Sequence, residues 1–118
     1  MGARLDHVAL TVVDRDRSAC FYAAHLGLTE RIHDDPHLLI IDAIGGGALL
    51  ALSEGEPAAA ALPRTNHFGF RLGSAAAVRA ARERLRAAGV VESEWQEQGP
   101  TRVQVVDPDG YRVDLYAF

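Results

Sequence analysis

The chain contains no lysine; all twelve of its basic residues are arginine. That excludes a lysine Schiff base or a lysine general base. There is one cysteine, Cys20, so neither an internal disulfide nor a cysteine-rich metal cluster can form within the chain. The net charge is −4 and no run of like charge occurs. Neither nucleic acid nor an anionic membrane surface is therefore an expected partner. No apolar stretch approaches the length of a transmembrane helix, and the opening MGARLDHVAL lacks the apolar segment of a signal peptide. Gly2 is followed at once by strand-like sequence, which argues against a lipid anchor. A soluble cytoplasmic protein is expected. Aromatic residues make up only 7%, which disfavours a cleft that works by stacking.

Apolar residues are plentiful at 48% of 118 residues, enough for one domain or two small modules sharing a core. The stretch LDHVALTV, Leu5 to Val12, alternates as a strand. Val8, Leu10 and Val12 take one face; Leu5, His7, Ala9 and Thr11 take the other. TNHFGFRL, Thr65 to Leu72, repeats the layout. Asn66, Phe68, Phe70 and Leu72 share a face, opposite Thr65, His67, Gly69 and Arg71. In each stretch a histidine precedes a small residue by two positions.

The repetition continues. Helical spacing over Asp16–Leu26 aligns Ala19, Tyr22, Ala23 and Leu26, and Gly27 is a stop signal. Ser74 caps a second helix with the stripe Val78, Ala81, Leu85 and Ala88, and Gly89 stops it. Short strands follow, Leu28–Ile32 and Val90–Trp95. Hairpins come next: Leu38–Asp42 with Ala48–Ser53 around Ile44-Gly45-Gly46-Gly47, and Arg102–Val106 with Tyr111–Tyr116 around Asp107-Pro108-Asp109-Gly110. The predicted fold is α+β. Two tandem βαβββ modules, residues 1–54 and 65–118, are joined by a Pro- and Ala-rich linker, 55–64. They are expected to pair into a curved eight-stranded cleft with the helices outside.

The last strand adds a third polar group. Val113, Leu115 and Ala117 alternate with Arg112, Asp114 and Tyr116, so Asp114 lies opposite the apolar face, as His7 and His67 do. Two imidazoles and one carboxylate suit a divalent ion (iron, manganese, zinc, nickel or cobalt) with positions left open for substrate. The alternative is a set of unconnected polar residues in a metal-free small-molecule cleft. Arg71, Gln104, Arg112 and Tyr116 are candidates to line such a cleft and contact a ligand.

The double βαβββ layout, LDHVALTV, TNHFGF and the closing DPDGYRVDLY together resemble the vicinal-oxygen-chelate superfamily. It includes glyoxalase I, extradiol dioxygenases, methylmalonyl-CoA epimerase and the fosfomycin- and bleomycin-resistance proteins. The resemblance covers nearly the whole chain. It implies a metal-dependent enzyme acting on a small oxygen-chelating organic substrate, as a lyase, isomerase, dioxygenase or thiol transferase. The alternative it implies is a metal-free protein that sequesters a drug or metabolite, as bleomycin-resistance proteins do. It carries the ligand role onto His7, His67 and Asp114, and it implies a homodimer in which modules pair across chains.

Departures from the family pattern narrow the chemistry. Ala51 falls where glyoxalase I and the epimerase carry a glutamate or glutamine, which argues against a standard glyoxalase I. The thiol-transferring fosfomycin enzymes rely on a lysine, and there is none. Gln104 falls where extradiol enzymes have a tyrosine. Asp114 stands in place of the usual glutamate, one methylene shorter.

Other polar residues read as structural. IHDDPH, Ile32 to His37, reads as a solvated turn. Asp42 reads as turn chemistry like Asp107. Arg79, Arg82 and Arg86 read as a solvated helix face interleaved with Glu83, and Cys20 as a buried small hydrophobe.

Overall fold

A computed structural model describes residues 2–118. The element order is β1 (His7–Val12), α1 (Arg15–Leu26), β2 (Glu30–Asp34), β3 (Leu39–Asp42), β4 (Leu49–Glu54), β5 (Phe68–Arg71), α2 (Ala75–Ala87), β6 (Glu92–Gln96), β7 (Thr101–Val106) and β8 (Arg112–Ala117). The βαβββ unit is present twice, and the fold is α+β. Each unit forms a four-stranded mixed sheet, ordered β1-β4-β3-β2 and β5-β8-β7-β6. In both, the first strand runs parallel to the last, and the remaining pairs are antiparallel. The chain divides into two compact units between Ala58 and Ala59. That division lies inside the predicted linker, where Ala59–Ala61 form a single 3-10 turn and Ala59 is buried. None of the described helices is long and apolar enough to cross a membrane.

Capping chemistry starts and stops the helices. Asp14 accepts hydrogen bonds from the backbone of Asp16 and Arg17, so α1 begins at Arg15, one residue earlier than its spacing predicts. Gly27 ends it at φ 71°, a conformation that glycine adopts without steric cost. Ser74 caps α2 through the Ala77 amide. The inward stripes Ser18, Ala19 and Tyr22 on α1, and Val78, Ala81 and Leu85 on α2, are buried. In the first unit they accompany buried Leu10, Val12, Leu39, Ile41, Leu50 and Leu52; in the second, buried Val103, Val105, Val113 and Leu115. Each fully buried side chain of this size contributes roughly 1.5–3 kcal/mol.

Several local expectations need correction. Ala88 is exposed, because α2 ends before it. Cys20 is exposed, because it lies off the Ala19–Tyr22 stripe. In IHDDPH, the residues through Asp34 belong to β2, since His33 pairs with Ile40 and Asp34 with Leu39. Only from Asp35 does the chain turn. The Asp35 carboxylate accepts from the His37 and Leu38 amides and contacts His33 Nε2 at 2.6 Å. These bonds, the one to His33 foremost, hold its pKa at about 2. The arginines of α2 are not simply solvated. Arg82 forms a two-pronged ion pair with Glu92 and lies 4.1 Å from the centre of the Trp95 ring. Its hydrogen bond to Glu92 raises the Arg82 pKa and lowers that of Glu92. Arg79 pairs with Glu97. These contacts tie α2 to β6 and its following loop, because the arginine flank faces that edge strand. Asp42 does perform turn chemistry: one oxygen accepts from the Ala43 and Ala48 amides, as Asp107 accepts from Asp109 and Tyr111.

Candidate functional site

The polar centre of the second unit is built around Asp114. Its strand, β8, lies between β5 and β7, which places Gly69 on one side of Asp114 and Gln104 on the other. A side chain at position 69 would put its Cβ 3.1 Å from that of Asp114 and 3.4 Å from the Tyr116 ring. Glycine leaves that space to the carboxylate. Asp114 is 4% exposed, so its oxygens need partners within the protein. Oδ1 accepts from Gln104 Nε2 at 2.9 Å and from Arg102 Nη1 at 3.4 Å. Oδ2 instead faces His67 Nε2 at 3.3 Å.

His67 was expected on a strand running from Thr65. The structure starts β5 at Phe68, because the chain still turns through Pro63–Asn66, where the Asn66 amide donates to the Pro63 carbonyl. The histidine therefore sits at the entrance to the strand. Its Nδ1 lies 2.8 Å from the Thr65 carbonyl, an acceptor, so Nδ1 carries the proton. With Nδ1 so engaged, Nε2 is the ring atom that faces Asp114 Oδ2. Two electron-rich atoms at this distance require a proton on Nε2 or a cation shared by both. A histidine whose second nitrogen donates to a backbone carbonyl has the usual arrangement of a metal ligand. The donor set of the second unit fits a divalent ion in this respect.

An open hollow of about 420 Å³ adjoins the pair, lined by His67, Phe68, Gly69, Pro100, Arg102, Asp114, Tyr116 and Phe118. Of the four predicted ligand-contacting residues, Tyr116 lines it. Arg71 stands beside it, its guanidinium 5.1 Å from the centre of the Phe118 ring. Gln104 is 1% exposed and lies behind the carboxylate. Arg112 reaches the Pro63 carbonyl at 3.5 Å. Sequence reasoning passed over Arg102, whose guanidinium bridges Asp114 and Glu94. Its alternation with Gln104 along β7 was the available signal.

The first unit repeats the frame without the polar centre. Ala9 pairs with Ala51 as Gly69 pairs with Asp114. His7 precedes Ala9 by two residues, as His67 precedes Gly69. Ala51 thus occupies the position of Asp114. His7 is exposed, with Nδ1 3.3 Å from the Asp6 carboxylate. The structure brings His67 and Asp114 together. Among the described residues, no three histidine, cysteine or acidic side chains gather in metal-binding reach.

A duplicated βαβββ frame with a histidine–carboxylate pair on a four-stranded sheet defines a class of small α+β proteins. The sequence profile of the glyoxalase/bleomycin resistance protein/dioxygenase superfamily matches residues 4–115, and the chain belongs to that superfamily. No curated protein matches it. Among solved structures it is similar to the fosfomycin resistance protein FosX of Listeria monocytogenes, complexed with Mn(II) and sulfate ion. The two are 21% identical, with a TM-score of 0.81 and coverage of 99% of this chain and 91% of that one. It is similar to lactoylglutathione lyase of Agrobacterium tumefaciens, at 22% identity, TM-score 0.78 and coverage of 98% and 94%. A glyoxalase/bleomycin resistance protein/dioxygenase from Nocardioides is 22% identical, with TM-score 0.72 and coverage of 100% and 85%. At these identities the likeness concerns the fold.

Proposed function

We propose that the chain is a cytoplasmic metal-dependent enzyme of its superfamily. Its site holds one divalent ion through His67 Nε2, Asp114 Oδ2 and His7, and takes a small organic substrate with paired oxygens. The observation that carries this reading is the approach of His67 Nε2 to Asp114 Oδ2 at 3.3 Å, with the other ring nitrogen engaged by Thr65. The Mn(II) complex of FosX, on the same fold, supports it.

When bound, such an ion supplies Lewis acidity towards substrate oxygens. The chain's own residues do the rest. The Thr65 carbonyl fixes the His67 tautomer, so that Nε2 remains an electron-pair donor. Gln104 and Arg102 occupy Asp114 Oδ1, so Oδ2, on the side of His67 Nε2, is the oxygen that would hold the ion. Tyr116, Phe68, Pro100 and Phe118 give the hollow apolar walls that take the carbon skeleton of a substrate and displace water. The hollow also holds the Arg102 guanidinium, which can accept an anionic substrate group. No carboxylate stands at position 51 to shuttle a proton, which directs the proposal away from glyoxalase I and towards chemistry that needs no second-site base.

The reading includes a homodimer with shared sites, His7 coming from one chain and His67 with Asp114 from another. Pro57 and Pro63 stiffen the connection between the modules and favour passing the second module to a partner. Complementation tests this. His7→Ala and Asp114→Ala are prepared separately, shown to be metal-free, then unfolded, mixed equally and refolded. Random pairing makes half of the dimers mixed, each with one intact and one doubly broken site. About a quarter of wild-type metal capacity should return. No recovery despite demonstrated heterodimers would sink the shared site.

A further inference from the structure

Behind Asp114 lies a hydrogen-bonded chain that ends at a strand irregularity. Ser93 Oγ donates to Gln104 Oε1 at 2.8 Å, and Gln104 Nε2 donates to Asp114 Oδ1 at 2.9 Å. Ser93 is the extra residue where the β6–β7 register shifts between Glu92 and Glu94. A bulge re-aims the side chain it carries, and here it aims a hydroxyl at the amide. Because an ionised carboxylate only accepts, Gln104 must turn Nε2 towards Asp114, which leaves Oε1 to accept from the Ser93 hydroxyl; Ser93 Oγ also lies 3.3 Å from the Gln104 carbonyl oxygen. The direction of the chain is thus set at the carboxylate, and the serine holds the far end of the amide. Gln104 is 1% exposed, and an amide buried this far is tolerated only when it is hydrogen-bonded.

The first unit is an internal control. Its sheet has the same irregularity, between Arg31 and His33, with Ile32 as the extra residue. Ile40 pairs with Ala51 there as Gln104 pairs with Asp114 here. The corresponding trios are therefore Ile32, Ile40 and Ala51 against Ser93, Gln104 and Asp114. Where the carboxylate is missing, the amide and the hydroxyl are missing too. The frame and its bulge do not need the polar chain, since the first unit builds both with isoleucine. The polar chain accompanies the carboxylate.

We propose that Ser93 and Gln104 are positioning residues that orient Asp114 Oδ2 towards a bound divalent ion. Gln104 holds Oδ1, and Ser93 holds the Gln104 amide in place. The inference rests on the metal-site reading above and adds to it residues that touch neither metal nor substrate. Partners of this kind are worth roughly 10–100-fold in metal affinity.

The test is Mn(II) binding by calorimetry and by the spin-resonance signal of free Mn(II). It compares wild type, Gln104→Met and Ser93→Ala, with folding checked by circular dichroism. Methionine keeps the volume and removes the donor, and isoleucine at the matching place of the first unit indicates that the sheet tolerates an apolar residue there. Gln104→Met should bind Mn(II) about 10-fold or more weakly, and Ser93→Ala about 3–10-fold more weakly, per folded chain. A purely structural role would lower the melting temperature of the metal-free protein without moving that affinity. If Gln104→Met does not fold, Ser93→Ala decides alone. Folded variants that bind within about twofold of wild type overturn the positioning role and leave the metal site standing. A wild type that binds no Mn(II), nor Fe, Ni, Co or Zn, removes the metal site and the positioning role with it.

Discussion

Replacing His67 by alanine is expected to abolish metal uptake. His67 supplies one of three proposed ligands, and its Nε2 is already aimed at Asp114 Oδ2 with its tautomer set by Thr65. Two ligands from exposed or short side chains form too weak a chelate to retain an ion at micromolar concentration. Occupancy should fall from about one ion per chain to below ~0.1, measured by equilibrium dialysis and elemental analysis. The fold should survive. His67 is exposed, precedes its strand, and adds nothing to the buried cluster of Val103, Val105, Val113 and Leu115. Its loss removes a ring contact with the Thr65 carbonyl and the 3.3 Å approach to Asp114 Oδ2, while Oδ1 keeps its bonds to Gln104 and Arg102. Unchanged metal content in folded His67→Ala would show that any bound metal sits elsewhere.

Isomerisation of the glutathione hemithioacetal should stay at background, even with nickel or zinc added. The superfamily's glyoxalases depend on a carboxylate or amide at the position that Ala51 fills here. The register supports that placement: Ala51 pairs with Ala9 on β1 as Asp114 pairs with Gly69 on β5. Ala51 is 8% exposed and has no polar atom beyond its backbone. A missing acid–base group typically lowers rate by ~10²–10⁴-fold. The measurement is the absorbance change of thioester formation, with a known glyoxalase as positive control. Robust turnover would mean that a base from another position does this work. Ala51→Glu is the companion variant and should tighten metal binding if the first-unit position faces the ion.

The duplication was legible from the outset because period-two alternation and turn signals recur at matching places in both halves. His7 and His67 were singled out through that recurrence, and Asp114 through the alternation of the last strand, where it stands opposite the apolar face. The limits arise where tertiary context overrides a local pattern. TNHFGFRL alternates throughout, yet only Phe68–Arg71 joins the sheet, because hydrogen bonding at Pro63–Asn66 keeps its start turned. IHDDPH has turn composition, yet pairing with β3 draws its first three residues into β2. The Arg82–Glu92–Trp95 contact joins residues of two elements and leaves no mark in either. Ser93 was invisible for another reason: a bulge of this type accepts serine in one unit and isoleucine in the other, so no residue type announces it. Gln104 was noticed, but as a ligand contact. Its position behind Asp114 depends on which face of β7 is buried, and TRVQVV does not settle that.

His67 and Asp114 supply two of the three proposed ligands of the metal centre. Metal titration of the wild-type protein, purified without a tag and stripped with chelator, tests it most directly. The account predicts saturable uptake of about one Mn, Fe, Ni, Co or Zn ion per chain at micromolar concentration, with loss of uptake in His67→Ala. A folded wild-type protein that takes up none of these ions at micromolar excess would contradict it. The 3.3 Å contact would then be an ion pair to a protonated histidine beside a metal-free binding hollow.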